Sequence, residues 1–303
     1  MRFALRLALP ALLALSACSM DEEVPPELEE SDFITFNALA PAALLDGGDA
    51  LSALAGAGLD GAATGLVDSE PGRMLLSYVV RCALGAGEEA AFPRAGAPDL
   101  VYAGLVGIAR GWKGSALGGA GRRLMTACLM AHVNAVETQV PISIRSEALR
   151  DASLVEKLLF PAQEMAVYGD IFAAPSEREL FVCFGRAVAQ SLGGSGGLGG
   201  ALGLPSYLDY RMCSVSESCG FNRVGACYRW AGQPGVTKSA CEVQDGNLYR
   251  DCHEAPIQDG NTPSWDDTVS VYLQPADLAL LVAGYVDLLC ELTAGEICDL
   301  LGQ

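Results

Sequence analysis

Cysteine is the residue type with the most evident chemistry in this sequence. Cys213, Cys219 and Cys227 lie within fifteen residues, in the segment RMCSVSESCGFNRVGAC. Cysteines at this density can bind a metal, carry out thiol redox chemistry or form disulfides. The intervals of five and seven residues are wider than the spacing of about two to four residues that is usual in zinc hooks. The C-x-x-C pattern of redox proteins does not occur in the chain.

The N-terminal segment MRFALRLALPALLALSAC favours one of these chemistries, because it predicts export. Arg2 and Arg6 precede an apolar run, residues 7–17, which is too short to cross a bilayer, and small residues stand directly before Cys18. This order resembles a bacterial lipobox, in which the cysteine is diacylated and residues 1–17 are removed as a signal peptide. An ordinary signal peptide that contains a cysteine is the alternative. Ser19 after the cysteine favours the outer membrane as the destination.

An exported chain meets oxidising surroundings, so the ten other cysteines are expected to form disulfides. A metal site is the alternative, with only His132 and His253 to add as imidazole ligands. Two pairs are predicted: one bridges two helices, and the other closes a short C-terminal loop. The connectivity of the other six cysteines stays open. The candidates are Cys82 with Cys128, Cys290 with Cys298, and Cys183, Cys213, Cys219, Cys227, Cys241 and Cys252.

Residues 18–38 are predicted to be an extended, disordered tether. Their segment SMDEEVPPELEESD carries seven carboxylates, two prolines and no basic residue, so it cannot bury apolar surface. An acidic docking tail is the alternative interpretation. The formal charge of the whole chain is −18, which argues against nucleic acid and anionic lipid as partners. Contact with the membrane is therefore assigned to the acyl anchor.

The remaining sequence predicts an α+β fold. A helical N-terminal half is followed by a short-stranded β region, stapled by disulfides, and by a C-terminal helix. Helices are expected over Gly72–Leu84 and Gly118–Val136, strands in TQVPISIRS and ELFVCFGR, and a last helix that begins at Pro275. The expected parts are a helix-rich part with a few strands (39–190), a flexible glycine-rich loop (191–205), a cysteine-rich β region (206–273), and a helix with a tail (274–303).

Two short motifs and one acidic cluster match known patterns but lack the expected context. The glycine-rich loop contains G-x-G-x-x-G and G-x-S-x-G, yet no strand-to-helix turn is predicted around them. Four oxygen-bearing residues further on could bind calcium, but their spacing differs from that of an EF-hand loop. The residues are Gly194, Gly196 and Gly199; Gly193, Ser195 and Gly197; and Asp259, Asn261, Asp266 and Asp267. No cofactor is predicted.

Four residues are candidates for acid–base catalysis: Glu164, Tyr168, Asp170 and His253. A carboxylate such as Glu164, within the apolar and aromatic segment PAQEMAVYGDIF, can have a raised pKa and act as an acid. The competing interpretation is that Glu164 accepts hydrogen bonds from backbone amides in an irregular turn. His132 falls on an apolar helical face with Cys128, which favours a packed histidine over a ligand.

Several segments together resemble one protein family. They are LLSYVVRCAL, RLMTACLMAHVN, VPISIRS, EMAVYGDIF, LFVCFGR, RMCSVSESCGFNRVGAC and YRDCHEAP, in this order. The chain resembles a family of uncharacterised, cysteine-rich secreted lipoproteins of deltaproteobacteria over roughly Leu75 to Leu273. The glycine tract and His132 depart from the family's pattern. The resemblance implies the character of a surface lipoprotein and brings no activity, cofactor or catalytic residue.

The expected function is therefore that of a lipid-anchored protein of the bacterial cell envelope, with a structural or interaction role. Its partner in the envelope or outside the cell is not identified by the sequence. The alternatives are an extracytoplasmic hydrolase that uses the four candidate residues and a ligand-binding lipoprotein. A hydrolase requires the four side chains to converge in one pocket, whereas an interaction protein does not.

Overall fold

A six-stranded sheet organises the chain in the computed structural model. The structure describes residues 34–60, 65–136, 138–192, 205–214, 219–228, 239–244, 248–254, 264–293 and 298. The helices are α1 (Pro41–Asp46), α2 (Gly48–Ala57), α3 (Glu70–Ala83), α4 (Gly119–Ala131), α5 (Leu154–Leu159), α6 (Arg186–Ser191), α7 (Tyr207–Cys213) and α8 (Pro275–Leu292). The strands are β1 (Ile34–Phe36), β2 (Glu89–Arg94), β3 (Ala97–Ala103), β4 (Pro141–Arg145), β5 (Ala162–Asp170), β6 (Glu179–Phe184), β7 (Asn222–Ala226), β8 (Glu242–Gln244), β9 (Leu248–Arg250), β10 (Cys252–His253), β11 (Ser264–Trp265) and β12 (Val269–Leu273). The predicted α+β class is confirmed.

The two helices predicted around Cys82 and Cys128 are confirmed as α3 and α4. Helix α3 begins at a Ser69 cap, whose side chain accepts a hydrogen bond from the Gly72 amide. Helix α4 ends at Ala131, five residues earlier than predicted, because His132 turns the chain. The His132 carbonyl then accepts a hydrogen bond from the Leu39 amide.

The strand order in the large sheet is β1-β4-β12-β5-β6-β7. Neighbouring strands are antiparallel except β6 and β7, which are parallel. Strands β4 and β6 and the C-terminal helix α8 are the elements predicted in TQVPISIRS, in ELFVCFGR and from Pro275. Strand β12 comes from the far end of the chain and lies between β4 and β5. Strand β5 was not predicted; it contains three of the candidate catalytic residues.

The two faces of the sheet carry separate clusters of buried side chains. On one face Met165 and Val167 join the main core, together with residues of α3, α4 and α8. On the other face Ala166 and Tyr168 pack with Phe181 and with half-cystines of the cysteine-rich region. The alternation of side chains along β5 thus divides its residues between the two clusters.

Five disulfides connect the ten described cysteines. The two predicted pairs, Cys82–Cys128 and Cys290–Cys298, are confirmed. Of the three cysteines in RMCSVSESCGFNRVGAC, two pair with each other and the third pairs with a half-cystine on β6. The three further pairs are Cys183–Cys227, Cys213–Cys219 and Cys241–Cys252.

Some predicted features fall on residues outside the described ranges. These are the signal peptide, Cys18, most of the acidic tether and both motifs in the glycine tract. Residues 34–36, within the stretch 18–38 expected to be extended and disordered, form strand β1, because Ile-Thr-Phe supplies apolar and β-branched side chains after the last carboxylate. Among the helices that the structure describes, none combines the length and the apolar character that a membrane crossing requires.

Candidate functional site

Strand β5 determines where the candidate acid Glu164 points. In the pairing of β5 with β12, Val271 is opposite Met165, but Tyr272 is opposite Gln163, so Glu164 is an extra residue in the register. Such a bulge changes the face to which the following side chains belong. Glu164 consequently contacts residues on the helical side of the sheet, whereas Tyr168 lies in the cluster on the opposite side.

Glu164 forms a fully buried ion pair with Arg211 of helix α7. Its Oε1 atom accepts hydrogen bonds from Arg211 Nε at 2.9 Å and from the Tyr207 hydroxyl at 2.8 Å. Arg211 also donates to the Val133 carbonyl just after α4. Burial and the neighbouring Glu164 charge raise the pKa of Tyr207 well above its usual value. Glu164 therefore does not lie in an irregular turn, and its charge holds α7 against β5 and the end of α4.

Tyr168 and His253 are adjacent, and the contact joins the Tyr168 hydroxyl to the backbone of His253. The Tyr168 hydroxyl donates to the backbone carbonyl of His253 at 2.7 Å, and the His253 amide donates to the Ala240 carbonyl at 2.8 Å. Burial raises the pKa of the Tyr168 phenol. A protonated phenol bonded to a carbonyl fixes strand β10 on the sheet and offers no base to a substrate.

Asp170 lies at the end of β5 and stabilises the turn that follows. Its Oδ1 accepts a hydrogen bond from the Phe172 amide at 2.9 Å. Burial raises the pKa of Asp170, while this hydrogen bond and the nearby Arg122 and Arg123 oppose the increase. The four candidate residues are thus spread over both faces and one end of the sheet. They do not form the single pocket that a hydrolase requires.

His132 is packed in the core next to the Cys82–Cys128 disulfide. Its Nδ1 lies 2.7 Å from the Cys128 carbonyl and 4.0 Å from Cys82 Sγ, and its ring packs on Tyr78 at 4.9 Å. Burial lowers the pKa of His132 to about 4, and the positive charges of Arg81 and Arg211 act in the same direction. The predicted packed histidine is confirmed, and it is uncharged at neutral pH.

Two groups of potential metal ligands occur among the described residues. They are Cys82, Cys128 and His132, and Cys183, Cys227 and Cys241, each with ligand atoms within 4.8 Å of one another. All five cysteines are in disulfides, and a disulfide sulfur is not the thiolate that zinc binds. Of the calcium candidates, Asp259 and Asn261 lie outside the described residues. Asp267 pairs with Arg123 Nε at 2.7 Å, and Asp266 lies 3.4 Å from Ser264 Oγ.

A small open cleft lies where β5 and β12 meet helix α6. Its lining includes Gln163, Arg186, Gln190 and Tyr272, and its volume is about 90 Å³. Sites for small organic ligands usually have volumes of roughly 300–1,000 Å³. This cleft has room for a few water molecules or one small polar group, so it gives the ligand-binding alternative little support.

Helix α5 has an unusual orientation, with its acid inside and its apolar residues outside. Glu156 is fully buried and accepts a hydrogen bond from Ser143 Oγ at 2.6 Å. Arg145 donates to the Phe160 carbonyl at 2.8 Å and stacks on the ring of Tyr272 at 3.9 Å. The side chains of the α5 face, as we name it, are exposed by the following fractions: Leu154 73%, Val155 56%, Leu158 70% and Leu159 41%.

The outward orientation of the α5 face was not predicted, although the sequence carries a signal for it. In LVEKLL the four apolar residues have helical i, i+1, i+4, i+5 spacing, which places them on one side. Such a stripe normally faces the core. The signal for the opposite orientation is Glu156, which lies on the other side of the helix from the apolar stripe. In the structure this side is the buried one, and Glu156 accepts a hydrogen bond from Ser143.

Comparisons of the chain with family models, with curated proteins and with solved structures gave no match. The class of protein is inferred from the disulfides of the fold. Five disulfides in one chain are typical of proteins that fold in an oxidising compartment. The chain is a disulfide-rich extracytoplasmic protein.

Proposed function

We propose that this chain is a lipid-anchored protein of the bacterial cell envelope with an interaction role. Diacylation of Cys18 holds it to the outer membrane, and the domain that begins at Ile34 acts at that surface. The observation that carries the proposal is the N-terminal order of two arginines, an apolar run, small residues and a cysteine. The disulfide-rich fold supports it, because disulfides form and persist in the oxidising surroundings that exported proteins meet.

An interaction role agrees better than catalysis with the arrangement of the polar groups. Glu164 and Tyr168 are engaged in structural contacts, and the α5 face presents four apolar side chains to solvent. Apolar patches of a few hundred Å² on the surface of a monomeric protein often have a function.

Metabolic labelling with a fatty-acid analogue in a bacterial host tests the proposal. The wild-type chain should incorporate the label and fractionate with the outer membrane. The variant Cys18→Ser should incorporate none and should accumulate as precursor or leave the membrane fraction. Ser16→Ala keeps a small residue before the cysteine and serves as the matched control. A Cys18→Ser chain that still fractionates as a mature, labelled membrane protein would refute the anchor.

A further inference from the structure

The α5 face lies close to Ile34, the residue at which the described part of the chain begins. Ile34, the first described residue, pairs directly with Ser143 across β1 and β4. Ser143 in turn donates to the buried Glu156 of α5 at 2.6 Å. Ile34, to which the segment from Cys18 is connected in sequence, therefore lies near α5.

The length of that chain keeps the domain close to the membrane. Fifteen residues lie between Cys18 and Ile34, and a linker of this length spans at most about 55 Å when fully extended. An anchor so close gives the neighbouring part of the domain a high effective concentration of bilayer. The surfaces beside Ile34 benefit most from it.

We propose that the α5 face docks on the lipid bilayer to which the chain is anchored. The protein then contacts the membrane at two places, the acyl chains on Cys18 and the α5 face. This inference rests on the proposed function. Phe36, 55% exposed and on the same side of β1 as Ile34, extends the docking surface along the sheet edge. A short helix with its apolar side outward can lie in the membrane interface, with binding that scales with the apolar area it buries.

A bilayer fits this surface better than a second copy of the chain does. Four aliphatic side chains on six residues offer an apolar patch on the order of a few hundred Å². A stable protein interface usually buries about 800 Å² on each partner. Docking on the bilayer does not need a buried area of this size, because the acyl chains supply most of the binding free energy. The chain's charge of −18 disfavours anionic lipid, so the docking is assigned to uncharged and zwitterionic lipid.

Tryptophan scanning with brominated lipid tests the docking. The acylated mature chain is bound to phosphatidylcholine vesicles, and Leu158→Trp is compared with Leu280→Trp. Leu280 is the matched control, because it is a leucine, 54% exposed, on helix α8 at the other face of the sheet. Brominated phosphatidylcholine should quench the added fluorescence of Leu158→Trp and leave that of Leu280→Trp unchanged. Equal responses at the two positions would overturn the docking even if the protein stays bound.

A second experiment separates failure of the docking from failure of the anchor. Residues 19–303, produced without acyl groups, keep every described element and are floated with phosphatidylcholine vesicles at high lipid concentration. Weak binding is expected, and Leu154→Glu with Leu158→Glu should reduce it by about tenfold or more, whereas Leu280→Glu should not. Binding that the two glutamates leave unchanged would refute the docking, and this result does not depend on the anchor because residues 19–303 lack Cys18. A dimer in sedimentation that these substitutions dissociate would assign the face to a second copy instead.

Discussion

The buried ion pair between Glu164 and Arg211 allows a quantitative test of how α7 is held on the sheet. Replacing Arg211 by methionine removes the partner of a carboxylate that is fully buried, and it also removes the donor to the Val133 carbonyl. Breaking a buried pair in this way typically costs about 3–5 kcal/mol. For a domain of about this size, each kcal/mol lowers the melting temperature by about 2–4 °C. Arg211→Met should therefore lower it by about 6–20 °C.

The double variant distinguishes loss of a pair from loss of packing. Glu164→Leu combined with Arg211→Met leaves no buried charge behind, so the two effects should be far from additive. The double variant should be more stable than either single variant, and the Tyr207 and Val133 hydrogen bonds that it loses are worth about 1 kcal/mol each.

Thermal unfolding followed by circular dichroism measures the melting temperature, and urea unfolding measures the free energies of the single and double variants, both under oxidising conditions. Lys157→Met is the control, because its pair with Asp151 is solvent-exposed and should give no measurable change. An Arg211→Met chain within about 1 kcal/mol of the wild type, or single effects that simply add, would refute the assignment of a tightly coupled buried pair.

Three further predictions concern other buried groups. Since burial lowers the pKa of His132 from 6.5 to about 4, the unfolded chain binds its proton more readily, and the free energy of unfolding should fall by about 2–3 kcal/mol between pH 7 and 4.5. His132→Gln should lose this part of the pH dependence in urea titrations and His253→Gln should keep it; equal slopes would contradict the assignment. Peptide mapping under non-reducing conditions should recover Cys82 linked to Cys128, and replacing both by alanine should cost about 2–5 kcal/mol; free thiols at these positions in the oxidised protein would refute the pairing. Tyr168→Phe should cost about 1 kcal/mol in thermal unfolding, and an unchanged stability would show that the bond to the His253 carbonyl contributes nothing.

Local periodicity was sufficient to predict helices α3 and α4 and the disulfide that joins them. The apolar residues of α3 and α4 repeat with the helical period, and Cys82 and Cys128 fall on the buried sides. Two inward-facing cysteines on packed helices leave few other partners. The pairing was therefore predictable from positions along the sequence alone.

The candidate site was beyond local reasoning, because its geometry depends on distant residues. The bulge at Glu164 is defined by pairing with Val271 and Tyr272, more than a hundred residues away. The partner Arg211 comes from a helix that the sequence analysis did not predict. The orientation of α5 likewise depends on a buried Glu156 that Ser143 stabilises, which no hydrophobic pattern reveals.

The position of β12 between β4 and β5 imposes an order of events on biosynthesis. Until residue 273 has been synthesised, the strands made earlier can pair only in two separate groups, β1 with β4, and β5 with β6 and β7, each with an open edge. Contacts between residues so far apart in sequence also form slowly. The complete six-stranded sheet can therefore form only after residue 273 has been synthesised. Interrupted synthesis before β12 would leave two strand edges free to pair with other chains.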